Sequence, residues 1–207
     1  MYINQFLARQ NYLINLYAMP YVYGTFLLCI LVMSENTITA QSKDIFEIEP
    51  LAIRANNWLS IQGGGDWEGL SENQIHQRQL KFDKPEQGIR AGVISLMTRA
   101  LRKNDNPTLT FNQIFFEDDG WAENQESYKM DLLSRDIDEN RVFDILDRND
   151  TIDLVNFIAS HEMGKARYDK ISEEEKINII NKGIDMAYEY ILSPDYANYN
   201  QLITTSK

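Results

Sequence analysis

Cysteine is nearly absent: Cys29 stands alone in 207 residues, so no intramolecular disulfide framework holds this chain together. Two histidines and one thiol leave too few donors for a structural zinc site. Basic residues are the minority, 20 against 31 acidic. The net charge of −11 argues against direct, unaided binding to nucleic acid or to an anionic membrane surface. Alternating strand patterns are scarce, and no internal repeat is present. What remains is an ordinary globular balance, 43% hydrophobic and 25% charged, which excludes a wholly disordered chain, a collagen-like repeat and a coiled-coil rod. The length suits one domain, and a domain of roughly 150 residues hides about 70% of its unfolded surface, enough for a core without staples.

Charge is unevenly spread. From Gln10 to Ser34 no residue is charged. Residues 13–33 are 21 long, close to the roughly 20 needed to cross a bilayer as a helix, so membrane contact through them is one reading. A second is a signal peptide, with Tyr21 to Met33 as its apolar core, Arg9 as its basic start and Ile38-Thr39-Ala40 as its cleavage site. Pro20 sits inside the run and would kink or split a helix there. A third takes Met33 as the true start, because Met33-Ser34-Glu35-Asn36 reads as an ordinary soluble N-terminus. The chain is accordingly parsed into an apolar N-terminal extension over 1–43, a mainly helical domain over 44–192 and a C-terminal tail over 193–207.

At the other extreme, Glu117 to Asp150 holds 12 acidic and 4 basic residues. Inside it Asp136-Ile137-Asp138-Glu139-Asn140 imitates the start of a calcium loop. The sixth position, which needs glycine for the sharp turn, is Arg141, and the twelfth, which needs a bidentate Glu, is Asp147. The segment is read as a solvated acidic face, and no metal is expected.

Helical signals dominate the rest. Glu86 to Lys103 places Ile89, Val93, Leu96, Met97, Ala100 and Leu101 at helical spacing and stops at Asn104-Asp105-Asn106-Pro107. Thr108 or Thr110 caps a short helix containing Phe111, Ile114 and Phe115, and another helix runs from about Asn124 to Ser134. Asp150 begins a fourth, with Ile152, Val155, Ala159 and Glu162 on one face and Gly164 as its stop. Ser172-Glu173-Glu174-Glu175 has the form of a capping box ahead of Ile177, Ile180, Ile184, Ala187 and Ile191, and Ser193-Pro194 ends that helix. Leu59 to Ile61 and Gln79 to Phe82 are the best strand candidates. The fold class is therefore mainly α, a single globular domain with room for a small β-hairpin around Gly63-Gly64-Gly65.

The triple glycine lacks the Lys-Ser or Lys-Thr of a phosphate loop and a surrounding βαβ pattern, so it reads as a flexible turn delivering Trp67, and no cofactor is expected. His76 and His161 have no nucleophile motif around them, and His161-Glu162 is not a zinc-protease motif because Lys165 stands where the second His is needed. Glu162 continues the apolar stripe of its helix near the C-terminus. Desolvation and the negative end of the helix dipole both favour a retained proton there, which is what a glycosidase general acid requires. The plainer alternative pairs Glu162 with Arg54, Arg90 or Arg99 as a structural carboxylate. Glu123, beside Trp121, is the second candidate acid and otherwise a helix N-terminal acid. Trp58, Trp67 and Trp121 suit either a saccharide groove or core and rim packing.

Taken in order, several segments resemble a family of tailed-phage virion proteins. Ile53-Arg54-Ala55-Asn56-Asn57-Trp58-Leu59-Ser60-Ile61 resembles the family's Ile-Arg opening with its asparagine run. Asp66-Trp67-Glu68-Gly69-Leu70 resembles its W-x-G step, and Phe82 with Glu86-Gln87-Gly88-Ile89-Arg90-Ala91-Gly92 its F…G-I-R-A helix start. Trp121-Ala122-Glu123-Asn124 with Tyr128 resembles its W-A…E-N…Y element, and His161-Glu162-Met163-Gly164 its closing H-E-x-G. That layout is in turn similar to lysozyme-like glucosaminidases and transglycosylases. The resemblance implies a lysozyme-like domain of a virion protein that contacts or locally cleaves bacterial peptidoglycan during genome entry. Glu162 and Glu123 are then the candidate catalytic acids, and Asn56, Asn57, Trp58, Trp67, Trp121 and Tyr128 line the substrate groove. Its expected partners are other virion proteins and the cell-wall glycan, met at the host envelope in the periplasm. A different class stays open beside it: a non-enzymatic virion component that docks through the acidic face.

Overall fold

Local signals and helix starts coincide along most of the chain. The computed structural model describes residues 49–197 apart from 64, 118, 119, 122 and 123. The apolar extension over 1–43 and its three readings lie outside the described residues. Among the described residues no helix is long and apolar enough to cross a membrane.

A short α1 (Leu51–Arg54) leads to the 20-residue α2 (Pro85–Asn104), where Pro85 supplies a helix-ready φ and Gln87 Oε1 accepts the Lys84 N–H at 2.9 Å. The helix stops at Asp105, which adopts the left-handed conformation at φ 54°. β1 (Thr108–Thr110) runs directly into α3 (Phe111–Phe115), whose cap Thr110 accepts the Gln113 N–H at 3.2 Å while Gln113 Oε1 accepts the Thr110 N–H at 2.9 Å. α4 (Gln125–Ser134) is capped by Asn124, which takes the Ser127 N–H. β2 (Val142–Asp144) precedes α5 (Arg148–Met163), then come α6 (Lys165–Tyr168) and α7 (Glu173–Ile191), the last capped by Ser172 on the Glu175 N–H.

Among the described residues the fold is mainly α with one small antiparallel sheet. That sheet pairs β1 with β2 in the register Thr108↔Asp144, Leu109↔Phe143, Thr110↔Val142. It does not lie around the triple glycine. The segments expected to form strands there are joined only by isolated bridges, Gln62↔Gln79 and Leu70↔Phe82. Asn57 explains why the ladder does not extend: its amide donates to Ile61 O and Leu80 O and accepts the Ile61 N–H, pinning the chain into a loop. The start of α5 also differs from expectation. Asp147 rather than Asp150 is the cap, its carboxylate taking the N–H groups of Asn149 and Asp150, while Asp150 accepts the Asp144 N–H.

The core joins the two long helices to an aromatic cluster. Ile180, Ile184, Ala187 and Ile191 of α7 are buried, whereas Ile177, one turn earlier, is 57% exposed and falls outside the stripe. Helix α7 lies close on α2 at Gly183, where an added Cβ would stand 2.5 Å from the Cβ of Ile89. Phe111 meets Phe143 edge-on at 4.9 Å and Phe157 at 5.0 Å. Fully burying a side chain of this size contributes about 1.5–3 kcal/mol. Beyond Ser193, in the segment read as a tail, Tyr196 is buried and its hydroxyl lies 3.1 Å from Thr98 Oγ1.

Candidate functional site

Helix α5 carries its apolar face past the core, and its last turn meets the side of α4. There Tyr128, 3% exposed, is held between Phe115, stacked at 4.5 Å, and His161, at 3.7 Å between ring centroids. Its hydroxyl donates to the Glu162 carboxylate at Oε1. Burial, and then the neighbouring Glu162 charge, hold that hydroxyl well above the usual phenol range, so Tyr128 remains a donor.

His161 is fixed from both sides. A carboxylate only accepts, so Nδ1 carries the hydrogen and donates to Asp131 Oδ2 at 3.0 Å, while Nε2 faces Ser127 Oγ at 3.4 Å. Asp131 is gripped by Arg135 through two bonds of 2.9 and 2.8 Å, and Arg135 also reaches Ser160 Oγ and lies over the Phe157 ring. The order Ser127, His161, Asp131 copies a nucleophile relay in sequence of contact only. The guanidinium of Arg135 neutralises the acid, and the 3.4 Å separation is long, so the network locks the His161 ring against Tyr128. Sequence reasoning missed this network. Its one visible signal was the i,i+4 pair Asp131 and Arg135.

A cleft of about 210 Å³ opens in front of this turn, lined by Ser60, Gln62, Trp121, Asn124, Tyr128, His161 and Glu162. Glu162 is half-buried and is the one carboxylate among its described lining residues. Trp121 is anchored by its indole N–H, which donates to Leu59 O at 3.1 Å. A second cleft of about 380 Å³ shares Gln62 and Trp121 with the first and is also lined by Trp67, Ser95, Arg99, Arg102 and Lys103.

The expected site residues therefore separate. Glu162, Trp121 and Tyr128 converge on one cleft, and Trp67 lines the adjoining one. Asn56 adopts φ 51° and donates to the Phe82 and Asp83 carbonyls, so its amide closes a turn. Asn57 is fully buried in its loop, and Trp58, 5% exposed, packs edge-on against Tyr168 at 6.2 Å. Glu123 lies outside the described residues. Of the three arginines considered as partners of Glu162, Arg90 pairs with Glu68 at 3.1 Å and Arg99 donates through Nε to Gln113 O. Among the described residues no three metal-ligating side chains come together.

Chemically, the first cleft offers one carboxyl group, a hydroxyl fixed on that carboxyl, and an indole wall suited to a flat apolar ring face. No protein-family model matches the chain, and no curated protein matches it closely enough to count as a relative.

Proposed function

We propose that this chain is a virion-associated protein of a tailed phage whose lysozyme-like domain contacts, and locally cleaves, bacterial peptidoglycan as the genome enters the host. The observation that carries this reading is the placement of Glu162 in a cleft walled by Trp121 and Tyr128. A sugar ring stacks on the indole, and Glu162, once protonated on Oε2, stands within the same cleft to deliver that proton to a glycosidic oxygen. Tyr128 engages Oε1, which leaves Oε2 for the substrate. Glu123, which immediately precedes the cleft residue Asn124 in sequence, is the second carboxylate of the scheme. In this reading the protein is carried in the virion with other virion proteins and acts at the host envelope.

A second reading, a non-enzymatic virion component, draws on one specific feature. Asp136, Asp138 and Glu139 are exposed, and within the same stretch of sequence Met130, Leu133 and Val142 are 62%, 78% and 55% exposed. Such a mixed acidic and apolar segment suits docking on a basic partner protein.

Zymography on purified peptidoglycan, with the full chain and its Glu162→Gln variant, separates them. Hydrolysis should fall roughly 100- to 10,000-fold in the variant at unchanged melting temperature, the usual loss on removing a positioned acid. Absence of any clearing by the unmutated protein across the pH range would end the enzymatic reading and leave the docking one.

A further inference from the structure

One buried side-chain polar atom among the described residues has no partner, the indole Nε1 of Trp67. A buried donor left unpaired is costly, so such a group usually meets a water or a ligand. Trp121 gives the contrast, since its own N–H is satisfied by Leu59 O. Trp67 and Gly65 together line a cavity of about 220 Å³ that shares no described lining residue with the Glu162 cleft. Gly65 lies against the indole: a Cβ added there would stand 3.2 Å from Nε1 and 3.3 Å from Cε2. It is exposed and carries no side chain, so little packing holds it over the nitrogen when an acceptor approaches.

The other walls decide what kind of group meets that N–H. Arg90, 8% exposed, has its charge already paired with Glu68 at 3.1 Å, and its guanidinium carbon lies 5.2 Å from the centre of the Tyr190 ring. The Thr98 hydroxyl is spent on Ile94 O and on Tyr196. A bare anion therefore meets a committed cation and two exposed carboxylates, Asp66 and Glu68. A bare cation meets Arg90 and leaves the indole donor unpaired. A neutral group that both accepts and donates suits the two sides at once. Its carbonyl oxygen takes the Trp67 N–H, its own N–H goes to a carboxylate, and Ile94 and Tyr190 supply apolar contact.

We infer that the Trp67–Tyr190 cavity is a binding site for a neutral secondary amide, with the Trp67 indole N–H as the donor to its carbonyl oxygen. This concerns a cavity other than the Glu162 cleft and does not rest on the glycan reading. The site binds, and no bond is made or broken there.

The test follows the indole N–H resonances of the isotope-labelled full chain at pH 7 while N-acetylethanolamine, ethanolamine or acetate is added. The signal missing from Trp67→Phe identifies Trp67. The amide should move that signal, leave the signal of buried Trp58 in place, and bind about tenfold tighter than the cation or the anion, the worth of one buried hydrogen bond. Gly65→Ala, whose methyl crowds the indole, should weaken the amide severalfold at an unchanged unfolding midpoint. A Trp67 signal that none of the three compounds moves means that water alone fills the place, and it overturns the site. An equal response to ethanolamine or acetate overturns the choice of an amide. Amide binding undiminished in Gly65→Ala places the contact elsewhere and overturns the assignment to this cavity.

Discussion

Gly183→Ala tests the closest approach in the fold. Alanine normally strengthens a helix by about 1 kcal/mol over glycine, so propensity alone predicts a more stable protein. The structure predicts the opposite. The new Cβ would stand 2.5 and 2.6 Å from the Cβ and Cγ2 of Ile89 and 2.8 Å from the carbonyl oxygen of Glu86. Ile89 is fully buried, and a backbone oxygen cannot rotate away, so α7 must shift off α2. Overpacking of this kind costs about 1–3 kcal/mol, and contact with main chain argues for the upper half. Subtracting the propensity gain leaves a loss of about 1–2 kcal/mol. For a body of this size that lowers the melting midpoint by roughly 3–6 °C. Thermal unfolding followed by circular dichroism reads it directly. A midpoint equal to or above that of the parent would refute the packing argument, because it would mean that α2 and α7 stand farther apart at Gly183.

Three further outcomes are expected. Burial pushes the Glu86 carboxyl up, but the Lys182 hydrogen bond at 2.8 Å outweighs it with help from a backbone bond, and the group sits below the ordinary carboxylate range. A depressed carboxyl stabilises the fold above its unfolded pKa of about 4.3 and loses that contribution as pH falls through the folded value. Lys182→Gln should therefore cost a few tenths to about 1 kcal/mol at pH 7, since Lys182 is largely exposed, and nothing near pH 2 in urea titrations. Asp147→Ala removes the α5 cap and should cost about 0.5–2 kcal/mol by the same measurement. Millimolar calcium should not raise the melting temperature beyond matched sodium; a specific gain near the ~2.7 kcal/mol of a site at 100 times its dissociation constant would establish a calcium loop at Asp136.

The helices were legible because their signals are local. Pro85, Thr110, Asn124 and Ser172 each sit within one turn of the N–H groups they leave free or satisfy, so a few consecutive residues decide the outcome. The sheet was not, because β1 and β2 are three residues each and their partners lie more than thirty positions apart. Nothing in Thr108-Leu109-Thr110 alternates for long enough to announce a strand. The cap of α5 was misread for a related reason: Asp147 and Asp150 both suit the first turn, and only the contact of Asp150 with the Asp144 backbone settles which one caps.

The site divides along the same line, between periodicity and long-range contact. Glu162 follows Val155 by seven residues, nearly two full helical turns, so periodicity placed it on the inward face and it does meet Tyr128 there. Residue type alone could not separate Trp58 from Trp121. Both are indoles beside a candidate polar residue, but one is buried against Tyr168 in the core and the other, partly buried and held by a bond from its N–H to Leu59 O, lines the cleft. The same ambiguity hid Asn57, whose three backbone bonds make it the fastener of a loop. Side-chain chemistry proposes what a residue can do, and only its neighbours decide whether its polar atoms are already committed. On that criterion Asn57, fully buried and with both amide hydrogens committed, is out of a ligand's reach. Glu162 keeps one carboxylate oxygen beyond the Tyr128 bond, so it is the residue on which a test of catalysis should act.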